Sequence, residues 1–214
     1  MAEQVVTISS SYGAGGSVIG PATAKALGVP FLDRVVPARM TRGGPPPAGE
    51  EAVVEERTSS LLERIVASFA NLPDAFGPGA PPSPAPAPPG LADEELRRET
   101  EERVRAFVAE HGTGVILGWG ATMLLPDAFH VRLGGPAERR IAQAMRIEGV
   151  DRAEAERRQG DTDRVRGQYL RRVHGRDWNS LDLYHLSIDT TCMSLEDATT
   201  LVVSAAKAFW TARR

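Results

Sequence analysis

The chain of 214 residues carries a single cysteine, Cys192. One thiol excludes an intramolecular disulfide framework and a cysteine-built metal site. The four histidines, His111, His130, His174 and His185, share no metal-ligand spacing, so bound zinc is not expected. Long apolar runs are missing as well. No stretch approaches the roughly 18 to 20 residues that span a bilayer, and no membrane association is expected. No basic-then-apolar segment resembles a signal peptide, and the expected location is the cytoplasm. Neither sign of charge is in large excess: 25 Lys and Arg face 28 Asp and Glu, a net charge of -3. That balance gives no global attraction to a nucleic acid polymer, so any anion site must be local. No Ser-His-Asp or Cys-His order supports nucleophilic catalysis.

The 42% of hydrophobic residues suffices for one substantial core. Short segments rich in Val, Ile, Leu or Phe lie at 4–9, 29–32, 114–117, 129–133 and 186–188 and read as strands. Between them, 17–27, 93–110, 136–148 and 195–213 carry apolar residues at helical spacing, as in Val104, Phe107 and Val108. The alternation predicts an α/β domain: a five-stranded parallel sheet with helices on both faces, in three layers. Boundary signals agree. Ser194 with Asp197 reads as a capping-box variant, Pro136 suits a first helical turn, and Gly28 and Gly112 stop helices.

Two segments interrupt the alternation. In the first, 34–92, Leu61, Leu62, Ile65, Val66 and Phe69 share one helical face, which is either the core of a lobe or a homodimer contact. A Pro/Ala-rich stretch follows at 77–90; its prolines lack backbone donors and favour extended geometry, so it reads as a flexible surface loop, with a role as a proline-motif ligand as the alternative. The second, 150–177, is dense in Arg and Asp, with Asp151 and Glu154 forming a further cap.

The first strand runs into Ser10-Ser11-Tyr12-Gly13-Ala14-Gly15-Gly16-Ser17 and then directly into a helix. Three glycines in four residues let backbone N–H groups converge, and the helix adds its unpaired N-terminal donors and positive dipole end. Phosphate is the ligand such a turn suits; a strand-to-helix turn without ligand is the bland alternative. Against the pattern G-x-x-x-x-G-K-[ST], Gly15 takes the second Gly position and Ser17 the hydroxyl that reaches magnesium, while Ser10 replaces the first Gly and Gly16 the Lys.

Further stretches resemble the cytidylate kinase-like family of P-loop nucleoside-monophosphate kinases. They are Ile8-Ser9 through Gly13-Ala14-Gly15-Gly16 and Ile19-Gly20, then Ala26-Leu27-Gly28-Val29-Pro30-Phe31-Leu32-Asp33-Arg34. Val115-Ile116-Leu117-Gly118-Trp119-Gly120-Ala121, His130-Val131-Arg132-Leu133, Asp163-Arg164 through Tyr169, Asp177-Trp178 and Tyr184 complete them. The resemblance covers most of the chain apart from 77–90. It implies strand order 2-3-1-4-5, a substrate lobe at 34–92 and an arginine-bearing lid at 150–177. Family members commonly carry Gly-Gly where the lysine would stand, and often carry Arg at the places of Ser10 and Trp119.

The resemblance also implies ATP and magnesium as cofactors and nucleotides as substrates. Ser10, Gly13, Ala14, Gly15, Gly16 and Ser17 would hold the donor phosphates, with Ser17 as the magnesium ligand. Among the arginines around the lid, Arg140 and Arg164 are singled out, the first because it begins the lid helix, the second because Asp163-Arg164 matches a family motif. An ion pair between Asp161 and Arg164 one helical turn away is the alternative. Asp33, at the carboxyl end of the second strand, positions acceptor or magnesium, or else caps a helix or pairs with Arg34. Trp119 between two glycines stacks on a base or packs in the core. The function expected is ATP-dependent transfer of a γ-phosphate to a nucleoside monophosphate such as CMP. The alternatives are a non-nucleotide acceptor or a catalytically weak nucleotide-binding regulatory protein.

Overall fold

In the computed structural model, residues 4–33, 91–118 and 120–213 are described. Residues 34–90, with the Leu61-to-Phe69 face and the proline-rich stretch 77–90, lie outside the described residues, as does Trp119; residues 91 and 92 already belong to a helix.

The strands are β1 (Gln4–Ser10), β2 (Phe31–Asp33), β3 (Thr113–Leu117), β4 (Phe129–Gly134) and β5 (Leu186–Asp189). The helices are α1 (Gly16–Leu27), α2 (Leu91–His111), α3 (Ala121–Leu124), α4 (Ala137–Glu148), α5 (Arg152–His174) and α6 (Leu195–Ala212). All five strands are parallel, in the order β2-β3-β1-β4-β5. The expected sheet and its order are both present.

Central β1 explains why its sequence shows no polar alternation. Val6 and Ile8 face one side, packing with Ile19, Ala24, Val202 and Ala206 of α1 and α6. Val5 faces the other, against Val104 and Val108 of α2 and Ala121 of α3. A strand covered on both faces must be apolar throughout. On β4 the alternation is visible: Phe129, Val131 and Leu133 enter the α1/α6 core, while His130 and Arg132 are buried on the opposite face.

The caps are local chemistry and follow the sequence. Ser194 Oγ accepts the Asp197 N–H at 3.0 Å, Asp151 accepts that of Glu154 at 2.8 Å, and Gly28 closes α1 at φ 67°. The 150–177 segment consists mainly of one 23-residue helix, α5. Among the described residues, no helix is long and apolar enough to cross a membrane, and no group of three or more His, Cys, Asp or Glu could hold a metal ion.

Candidate active site

The carboxyl ends of β1, β3 and β4 bring the glycine loop, the turn at Gly118 and Gly120, and the turn at Gly134 and Gly135 to one edge of the sheet, where open α/β sheets bind ligands. The loop begins as an extension of β1: the Ser11 N–H donates to Leu133 O at 3.0 Å. It then turns through Gly13 at φ 72° and Gly15 at φ 74°, a region that side chains disfavour. Close approach reinforces the choice at Gly13, where an added Cβ would stand 2.2 Å from Arg140 O.

What shapes the loop is the fate of its carbonyls. Arg166 donates to Ser10 O, Arg140 Nη1 to Tyr12 O at 2.7 Å, Gln143 Nε2 to Gly13 O at 3.0 Å, and Thr190 Oγ1 to Ala14 O at 2.9 Å. Each peptide plane carries its N–H opposite its C=O, so carbonyls drawn toward these side chains turn the following amides the other way. Among the described residues, the amides of Gly13, Gly15, Gly16 and Ser17 find no acceptor. Gly15 caps α1, and Gly16 and Ser17 open its first turn, where no intrahelical acceptors exist for these amides. This concave row of donors suits phosphate oxygens, and it is the fit that a nucleotide donor requires.

Helix α5 closes over the loop through Asp163. One carboxylate oxygen accepts the Tyr12 N–H at 2.9 Å and the other accepts from Arg140 Nη1 at 2.8 Å. Arg140 also donates to Gly135 O at 2.9 Å, so its buried guanidinium, 9% exposed, ties together the loop, the β4–α4 turn and α5. The Tyr12 ring inserts between α4 and α5, against Ile141, Ala144 and Ala155, and its hydroxyl donates to Glu148 at 2.8 Å. Burial first, and the Glu148 carboxylate second, push the Tyr12 hydroxyl pKa up.

The two singled-out arginines part company. Arg140 lies against the loop. Arg164 lies on the outer face of α5, half exposed and paired with Asp161 at 3.3 Å, which is the helical ion pair its spacing allowed. The inward arginine of this turn is Arg166, 7% exposed. Buried Thr162, Arg166, Tyr169 and Leu170 fall three to four residues apart, a periodicity that marks the inward face. Asp163, noted in the sequence only as the neighbour of Arg164 in a family motif, serves the loop as well, and Gln143 and Thr190 do so without a sequence signal of their own.

The remaining candidates are placed as follows. Ser10 ends β1 half-buried, its hydroxyl donating to Ser11 O at 3.0 Å. Ala14 is buried. Ser17 is exposed at the second position of α1, beside the free amides, and Asp33 is exposed at the end of β2.

The solved structures similar to this chain include an uncharacterized protein from Eubacterium ventriosum, at 15% identity and TM-score 0.63 over 96% of this chain and 99% of that one. They also include shikimate kinase from Acinetobacter baumannii, at 15% identity and TM-score 0.47 over 95% of this chain and 93% of that one. A third is a gluconokinase from Sinorhizobium meliloti, at 14% identity and TM-score 0.47 over 97% of this chain and 91% of that one. No curated protein matches the sequence significantly. The first of these likenesses shows the fold. The sequence pattern described as the cytidylate kinase-like family matches residues 5–192, most of the chain and all of the site just described, and the protein belongs to that family.

Proposed function

We propose that the protein is an ATP- and magnesium-dependent phosphotransferase whose acceptor is a nucleoside monophosphate, with CMP the first candidate. Family membership supports phosphoryl transfer. The observation that carries the reading is the loop itself, with its carbonyls bound outward by four side chains and the amides of Gly13, Gly15, Gly16 and Ser17 left for a ligand.

Phosphoryl transfer asks a protein for alignment and charge neutralisation more than for covalent chemistry. Bound ATP and magnesium would supply the γ-phosphoryl group and screen the charge that develops on it. The loop amides hold the donor phosphate oxygens, and the exposed Ser17 hydroxyl is the group that would take magnesium. Arg140 and Arg166 replace the missing loop lysine in part: they bring positive charge to the loop's back while fixing its shape. An acceptor oxygen attacks the γ-phosphorus, the bond to the bridging oxygen breaks, and ADP leaves.

The test is magnesium-dependent transfer from γ-labelled ATP to nucleoside monophosphates and to a panel of hydroxylated small molecules. Transfer to CMP or a related nucleotide, abolished in Ser17→Ala, supports the reading. Transfer only to a non-nucleotide overturns the acceptor, and ATP binding without transfer to anything overturns the activity.

A further inference from the structure

Beside the loop lies a buried cation to which, among the described residues, no carboxylate is bonded. Arg132, on β4, is 8% exposed. Its Nη1 donates to Leu133 O at 2.9 Å, and its Nη2 to Ser11 Oγ at 2.9 Å and Asn179 Oδ1 at 3.4 Å. The guanidinium rests 4.0 Å from the Trp178 ring centroid. Every one of these partners is neutral. Burial pulls the Arg132 pKa down from its ordinary value; Asp163 is near enough to favour the charge, but its two oxygens already serve Arg140 and the Tyr12 N–H. A charge taken out of water and given only neutral oxygens is unfavourable unless an opposite charge completes it.

The space for that charge is present. A cleft of about 490 Å³ opens at Arg132, lined also by Ser11, Arg140, Asp163, Asn179 and Ser187. Two guanidiniums face one carboxylate there. Arg132 projects from the sheet face opposite the α1/α6 core, and the cleft borders the loop through Ser11, Arg140 and Asp163. Its size suits a small molecule.

We propose that this cleft is a second oxyanion site, beside the loop amides and distinct from them, in which Arg132 holds a phosphate or carboxylate group of the acceptor. That the occupant is the acceptor rests on the phosphotransferase reading; that the cleft binds an oxyanion does not.

The experiment follows the Trp178 indole N–H resonance of the full chain by NMR, assigned by its loss in Trp178→Phe, without ATP or magnesium. The probes are inorganic phosphate, CMP and acetate. A saturable shift is expected, weakened at least tenfold in Arg132→Gln. It is weakened likewise in Ser187→Asp, which sets a carboxylate on the exposed rim and spares the buried network should Arg132→Gln fail to fold. The shift persists in Gly15→Ala, which strains the loop. Preference for phosphate and CMP marks a phosphorylated acceptor, and acetate binding as well as phosphate marks a carboxylate. No shift with any probe, or undiminished binding in Ser187→Asp, overturns the site. A chain that shows the shift but transfers no phosphoryl group loses the kinase reading and keeps the site.

Discussion

A Cβ placed on Gly16 would stand 2.6 Å from both Cβ and Oγ of Ser10. The two departures from the usual phosphate-loop pattern are therefore one steric choice: a side chain at position 10 occupies the space where one at position 16 would start. Gly16→Ala alone is expected to destabilise the fold by about 1–3 kcal/mol through overpacking. Ser10→Gly added to it recovers most of the loss, as urea unfolding of the single and double variants will show. On the same ground, a lysine at position 16 is tolerated only with glycine at 10.

Arg166 and Arg164 sit two residues apart on α5 with opposite surroundings. Arg166→Ala should lower phosphoryl transfer roughly a hundredfold or more, since displacing the loop misaligns the donor. Arg164→Ala, which removes one exposed ion pair, should leave transfer unchanged and shift stability by no more than about 0.5 kcal/mol. Steady-state assays of the two variants side by side decide it.

Asp163→Ala removes the carboxylate that, among the described residues, pairs with the buried Arg140, and frees the Tyr12 N–H. A loss of roughly 2–4 kcal/mol is expected from the uncompensated guanidinium. Asp163→Asn, which still accepts from Tyr12, should fall between the two. Denaturant midpoints at constant slope will rank the three proteins.

At the opposite end of the sheet, His130 Nδ1 lies 2.7 Å from Thr7 Oγ1, and the His130 N–H donates to His185 Nδ1 at 2.9 Å. Burial, then the neighbouring His185, lowers the His130 pKa from 6.5 to about 4. Between those values the unfolded chain binds more protons than the folded one, so stability is present above pH 6.5 and is lost as pH falls toward 4. From pH 7 to pH 5 the His130 contribution alone is about 2 kcal/mol. In His130→Phe the slope of stability against pH in this window should flatten; an unchanged slope would refute the assignment.

Whatever depends on neighbours in the sequence was legible. The apolar runs of β1 and β4, the caps at Asp151 and Ser194, and the loop glycines each carry a local signature, because backbone conformation and capping are settled within a few residues. The partners of the loop carbonyls were not. Gln143 reaches Gly13 across 130 residues and Thr190 reaches Ala14 across 176, and only the docked arrangement of α4 and β5 brings them there. Which of Arg164 and Arg166 turns toward the loop was not legible for a related reason. Both belong to one turn, and the direction each points is decided by which face of α5 meets the sheet.

Because Asp163 and Arg166 are both on α5 and both hold the loop, that helix cannot swing away and leave the cradle in its present form. Lifting it releases the Tyr12 amide and the Ser10 carbonyl together. Retention of the loop's curvature and seating of the helix are thus a single cooperative event. An occupant of the cradle would slow hydrogen exchange along α5 even where it touches none of that helix's residues.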